Sequence, residues 1–220
     1  MIALFDIGST LIDGPPYGPA RRLAEMLGLE KPAVAELEGL LFRTPSESPE
    51  DLANHISKVL GVNALRAEEA CLQLWNAQLE EAYVLPGALD TVSRIAKAGI
   101  QRAYLSNIWP PFYEHFRRSF LSEATNLQFL SFQMGRMKPD PEFFREALRQ
   151  LAVPPEEVVM IGDTYKNDIR PAIELGMRTV WVLHRPEKER ASLVDVMNRI
   201  APQPDVTIGS IGDLRLEQLS

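Results

Sequence analysis

Apolar positions follow two rhythms along this chain, and the change between them divides it. Met1-Ile2-Ala3-Leu4-Phe5 is an apolar run ending at Asp6, and its shortness and lack of alternation predict a buried strand. Asp13-Gly14-Pro15-Pro16-Tyr17-Gly18-Pro19 is then dense in turn formers. From there to about residue 82 the pattern is helical. Arg21 to Leu27 carries apolar residues at 23, 26 and 27, and a second segment runs from about Ala33 to Leu41. Ser48-Pro49-Glu50-Asp51 supplies a cap, a first-turn proline and acids beside the helix dipole, opening a third helix that Gly61 ends. Alanine-rich Leu65 to Ala82 is the fourth, and Val84-Leu85-Pro86-Gly87 breaks the pattern. Residues 15–84 thus read as an all-helical insert between two stiff hinges.

From Ala88 the rhythm alternates. Helices are predicted at about 88–97, 110–119, 141–151, 169–175 and 187–200, and strands at 101–105, 127–132, 158–161, 179–183 and 206–208. Short apolar strands between amphipathic helices imply a mostly parallel sheet covered on both faces. The expected fold class is α/β: a Rossmann-like core of residues 1–14 and 85–220, with residues 15–84 a helical cap inserted after the first strand. Spacing agrees, because one hundred residues separate Asp6 from Ser106, far more than one crossover or a structureless loop accounts for.

Composition narrows the function classes. With 45% apolar and 24% charged residues the chain has an ordinary globular balance. A formal net charge of -7 argues against nonspecific binding to nucleic acid or an anionic membrane. Cys71 is the only cysteine, which excludes an internal disulfide and a thiolate metal cage. Asp6 interrupts the first apolar run, and no stretch has the length of a bilayer span, so a cytoplasmic location is expected.

Candidate chemistry gathers at predicted strand ends. Asp6 follows the first strand, where a carboxylate can cap a turn or act as a nucleophile. Ser106-Asn107 follows the strand ending at Leu105, Lys138-Pro139 lies before a helix, and Gly162-Asp163-Thr164-Tyr165-Lys166-Asn167-Asp168 follows the apolar run at 158–161. In open α/β sheets reactive groups gather at the carboxyl ends of strands. In that order these segments resemble the motifs of the haloacid dehalogenase-like hydrolases, across essentially the whole chain.

The resemblance implies roles. Asp6 would attack phosphorus and form an aspartyl-phosphate, and Thr10 would orient Asp6 or the turn. Ser106 and Asn107 would bind phosphoryl oxygens, and Lys138 would neutralise Asp6 and the transferring group. Asp6, the carbonyl of Gly8 and Asp163 would hold Mg²⁺, with Asp168 assisting directly or through water; such an oxygen-rich site suits this ion. The implied function is a Mg²⁺-dependent phosphatase or phosphotransferase acting on a small phosphorylated metabolite.

One position departs from the pattern. The family usually opens Asp-x-Asp-Gly-Thr, whereas this chain reads Asp6-Ile7-Gly8-Ser9-Thr10. Glycine keeps a carbonyl for the metal but removes the usual acid/base. Asp13 and Tyr17, near the hinge, are candidate replacements. Two alternatives stay open: a silent relative that binds a phosphorylated ligand or a protein, and a C–P or C–halogen hydrolase. Against the latter, haloacid dehalogenases lack the paired aspartates, and the C–P enzymes need a cap lysine, for which only Lys31 and Lys58 are present between 15 and 84. His55, His115 and His184 show no metal-ligand spacing, and Trp109 either borders the site or packs the junction between cap and core.

Overall fold

The computed structural model describes residues 1–121 and 127–219. The chain opens with β1 (Ile2–Phe5), buried throughout, and a tight turn leads into the two-residue β2 (Ile12–Asp13). Four helices follow: α1 (Pro19–Leu27), α2 (Lys31–Arg43), α3 (Pro49–Leu60) and α4 (Ala64–Glu81). Ser48 caps α3 by accepting from the Asp51 amide at 3.2 Å, as its sequence predicts. Leu23, Leu37, Leu41, Ile56 and Leu74 build a common core for these helices. The chain returns through β3 (Tyr83–Val84), which pairs antiparallel with β2, Ile12 opposite Val84 and Asp13 opposite Tyr83. The predicted hinges are therefore one ribbon. Its strands are too short to show a period in the sequence.

The remainder alternates. α5 (Ala88–Lys97), β4 (Gln101–Ser106), α6 (Pro110–Ser119), β5 (Gln128–Leu130) and α7 (Ser131–Met134) are followed by α8 (Pro141–Leu151) and β6 (Val158–Gly162). A π-helical turn, Tyr165–Ile169, enters α9 (Arg170–Glu174), and β7 (Arg178–Val182), α10 (Arg190–Met197) and β8 (Val206–Ile208) complete the fold. The six-stranded sheet has the order β5-β4-β1-β6-β7-β8 with every pair parallel. Ala3 and Phe5 pack on one face, and Ile2 and Leu4 on the other against Phe143 and Phe144. Both faces are covered, which explains why the strands read as continuous apolar runs.

Two predicted spans shorten. The strand expected over 127–132 ends at Leu130, because Ser131 turns inward and its hydroxyl donates to the Ile108 carbonyl and accepts from the Ile108 amide. Phe132 is then buried from a helical turn, an outcome that an apolar run does not distinguish from a strand. The helix expected over 187–200 is limited to Arg190–Met197. No helix among the described residues is long and apolar enough to cross a membrane.

β1 lies between β4 and β6, with Phe5 opposite Tyr104 and Ile161. After β1 the chain moves outward through β4 and β5, then returns to β6 on the opposite side. Strand order reverses around β1, and the crevice at such a switch point is where α/β sheets place ligands. Asp6 leaves β1 at that crevice, its amide bonded to the Ile161 carbonyl at 2.8 Å.

Candidate active site

The ends of β1, β4 and β6 and the loop between α7 and α8 supply the site. Lys138 Nζ reaches between two carboxylates, 2.6 Å from Asp6 Oδ1 and 2.5 Å from Asp168 Oδ1. Asn107, at the end of β4, holds the lysine loop through its amide: Nδ2 donates to the Lys138 carbonyl at 2.9 Å, and Oδ1 accepts from the Lys138 amide at 2.7 Å. Thr10 Oγ1 donates to Asp6 Oδ2 at 3.5 Å. Asp168 Oδ2 accepts from the Thr164 amide at 2.9 Å, so both of its oxygens are engaged. Gly162 makes room for that packing, since a Cβ there would lie 2.5 Å from Asp168 Cβ. Trp181 Nε1 donates to the Asp163 carbonyl at 2.9 Å and fixes the loop after β6. Ser106 is fully enclosed, and its hydroxyl has no hydrogen-bond partner among the described residues.

Asp6, Asp163 and Asp168 bring carboxylate oxygens within 4.8 Å of one another, all three buried. Burial raises the Asp163 carboxyl to about 7, with the charges of Asp168 and Asp6 adding and Arg185 opposing. Burial likewise lifts Asp168 to about 6 against the opposing pull of Lys138. Burial alone would depress the Lys138 ammonium, but Asp168 and Asp6 outweigh it and hold it above the ordinary lysine value. Lys138 and Arg185 beside three clustered carboxylates still leave an excess of negative charge, and hard oxygen donors in that state suit a small divalent cation. Mg²⁺ thus fits the residues present.

A second polar network adjoins this one. Ser9 Oγ donates to Asp13 Oδ1 at 3.2 Å and accepts from the Arg185 guanidinium. Arg185 also contacts Asp163 Oδ2 at 3.2 Å and Asp13 Oδ1 at 3.6 Å. His184 Nε2 lies 3.2 Å from Asp13 Oδ2, and the Gly14 amide donates to Asp13 Oδ1 at 2.9 Å. Ser9 adopts φ 58°, in the left-handed region, which costs a non-glycine residue roughly 1–2 kcal/mol. Gly8 needs no such freedom: it is absent from the positive-φ residues, and a Cβ there would meet Phe112 at 3.5 Å, an ordinary contact.

A cavity of about 390 Å³ opens over these groups. Asp6, Gly8, Asn107, Lys138, Asp163 and Asp168 line its floor, while Arg21, Val34, Glu38 and Phe42 face it from α1 and α2. Of the sequence-predicted site residues, Thr10 and Ser106 are fully buried and lie outside the cavity lining. Tyr17 is half exposed with the Arg21 guanidinium 4.0 Å over its ring, whereas Asp13 is buried against the site network. Trp109 packs edge-on to Trp75 and donates to Gln78 Oε1 at 3.3 Å, which makes it a residue of the junction between α4 and the core. His184 and Arg185 join the site without having been predicted from the sequence. Their signal was the one that marked Ser106: they follow a predicted strand, at the carboxyl edge of the sheet.

Comparison with known proteins gives the family. Over 136 residues the chain is 32% identical to a phosphoserine phosphatase from Thermus thermophilus, a match covering 60% of this chain and 50% of that one. Over 98 residues it is 35% identical to a glyceraldehyde 3-phosphate phosphatase from Pyrococcus furiosus, covering 44% and 41%. The chain therefore spans about half the length of these curated relatives. Its fold matches the crystal structure of a HAD phosphatase from Thermococcus onnurineus with a TM-score of 0.63 at 22% identity, covering 97% of this chain and 95% of that one. The family profile described as haloacid dehalogenase-like hydrolase matches residues 1–176, four-fifths of the sequence, and the chain belongs to that family.

Proposed function

We propose that this protein is a Mg²⁺-dependent phosphoryl hydrolase acting on a small phosphorylated metabolite, with Asp6 as its nucleophile. The observation that carries the reading is the Asp6–Lys138–Asp168 contact beside Asp163, a buried site with a poised carboxylate, a fixed cation and a carboxylate cluster. The curated relatives named above are both phosphatases. Asp6, the Gly8 carbonyl and Asp163 would hold Mg²⁺, and Asp168 would support it through water, since its oxygens already serve Lys138 and Thr164. The bound ion would offset negative charge on the phosphoryl oxygens.

The residues perform the rest. Asn107 and Lys138 line the cavity, the first orienting the phosphoryl group and the second stabilising charge as it develops, and Ser106, enclosed at the end of β4 with an unpaired hydroxyl, would be the second phosphoryl donor. Thr10 holds Asp6 on line. Asp6 displaces the leaving group to give an aspartyl-phosphate, and water then releases phosphate and regenerates Asp6. Lys31 and Lys58 are both exposed and neither lines the cavity, which disfavours an imine-based C–P route.

Gly8 predicts the leaving-group dependence. With no carboxylate side chain at position 8 to protonate a departing alkoxide, groups that leave unprotonated gain about 10²-fold or more, the scale of general acid catalysis. A panel of p-nitrophenyl phosphate, acetyl phosphate and sugar phosphates, assayed with Mg²⁺ and with EDTA, measures this. Aryl and acyl phosphates should be hydrolysed far faster, only with Mg²⁺, and not by Asp6→Asn. Undiminished activity in EDTA would overturn the metal assignment, and equal rates across the panel would show that another acid protonates the leaving group.

A further inference from the structure

The missing carboxylate at position 8 concerns two proton transfers, one to the leaving group and one from the attacking water. For the second, the neighbouring side chains supply a candidate. Ser9 forms part of the cavity wall that contains Asp6, and it also lines the adjoining cavity with Asp13 and Arg185. A hydroxyl has one proton to donate and two lone pairs to accept with. At Ser9 the proton points to Asp13 Oδ1 and one lone pair is taken by the Arg185 guanidinium. The second lone pair is left for a proton arriving from the cavity. Asp13 is itself buried and held by the Gly14 amide, His184 and Arg185, so its carboxylate is fixed relative to the hydroxyl. Ser9 is held in left-handed backbone that glycine would adopt without cost, and a strained residue at an active site is a reason to look for a role.

We propose that Ser9 and Asp13 form a proton relay that activates the water in the second half-reaction. The inference rests on the reading of Asp6 as nucleophile. The water oxygen bonds to phosphorus as the bond from phosphorus to the Asp6 oxygen breaks, with its electron pair returning to the Asp6 carboxylate. The water proton passes to Ser9 Oγ while the Ser9 hydroxyl proton passes to Asp13 Oδ1, and Asp13 then returns it to solvent. Ser9 touches the reacting water and is the catalytic member. Asp13 acts through it and is a positioning and proton-accepting residue.

Rapid-quench kinetics on the whole protein, with p-nitrophenyl phosphate and Mg²⁺, separates the half-reactions. Formation of phosphoenzyme from this substrate needs no proton at the leaving group, whereas its decay needs the relay. Asp13→Asn, Ser9→Ala and Ser9→Gly should slow decay about a hundredfold, the lower end for general acid/base catalysis, and leave formation within about threefold. Phosphoenzyme should accumulate in all three variants. Ser9→Gly also removes the left-handed strain, so it stays folded even if the alanine variant does not. Unchanged decay in the folded variants, or formation and decay falling together, would overturn the relay while leaving Asp6 as nucleophile. A wild-type protein that releases phosphate and never becomes phosphorylated would overturn both.

Discussion

Gly8 separates two demands that one residue usually meets in this family: a carbonyl beside the metal position and a carboxylate for proton transfer. Its backbone conformation does not require glycine, and the space at its Cβ position is an ordinary contact with Phe112. Gly8→Ala should therefore fold and change stability by less than about 1 kcal/mol, measured by urea denaturation. Gly8→Asp should raise turnover of sugar phosphates by about tenfold or more, because it adds an acid that can reach the leaving group. Gain in the aspartate variant alone would fit the missing-acid account. Two folded variants with no gain would place the limit on alkyl phosphates somewhere other than leaving-group protonation. The neighbouring Ser9 shows the complementary case, a side chain kept in backbone that would suit glycine better.

Among the elements, those with a strong period are legible in the sequence and those that shape the site's periphery are not. Buried β1 and β6, and the buried C-terminal parts of β4 and β7, are apolar, and the sequence alone puts Asp6, Ser106 and Asp163 at or just beyond strand ends. The partnership of β2 with β3 is invisible there, because two-residue strands have no period and their partners lie about seventy residues apart. That ribbon carries Asp13 and sets it beside Ser9, so the second polar network is hidden with it. Arg185 escapes notice for a different reason. A single arginine after a strand has no distinctive neighbours in the sequence, and only the fold brings it to Ser9, Asp13 and Asp163. The π-helical turn at Tyr165–Ile169 has no signature that separates it from the approach to a helix, yet it presents Asp168 to Lys138.

At the scale of the molecule, an acidic protein concentrates three buried carboxylates around one lysine, and the cost of that arrangement depends on pH. Asp163 at about 7 and Asp168 at about 6 bind protons more tightly than in an unfolded chain. A raised carboxyl pKa stabilises the fold below the unfolded value near 4 and loses that contribution as pH rises through the folded value. For this pair the window runs from about pH 4 to about pH 7. A divalent cation held by Asp163 must displace the proton on that carboxyl, so its affinity should climb by up to about tenfold per pH unit across that window and level off above it. Calorimetry with Mg²⁺ at pH 5.5 and pH 8, each in two buffers of different ionisation enthalpy, should show proton release only at the lower pH, and Asp163→Ala should abolish binding. A pH-independent affinity would contradict the raised carboxyl values on which this expectation rests. The central claim, a phosphoryl group carried on Asp6, has a direct chemical test. The protein is mixed with p-nitrophenyl phosphate and Mg²⁺, quenched in acid, reduced with borohydride and mapped by peptide mass spectrometry. Reduction of an acyl phosphate should convert the side chain at position 6 to that of homoserine, with no such product in Asp6→Asn; phosphate release with position 6 unmodified, or label at another carboxylate, would contradict it.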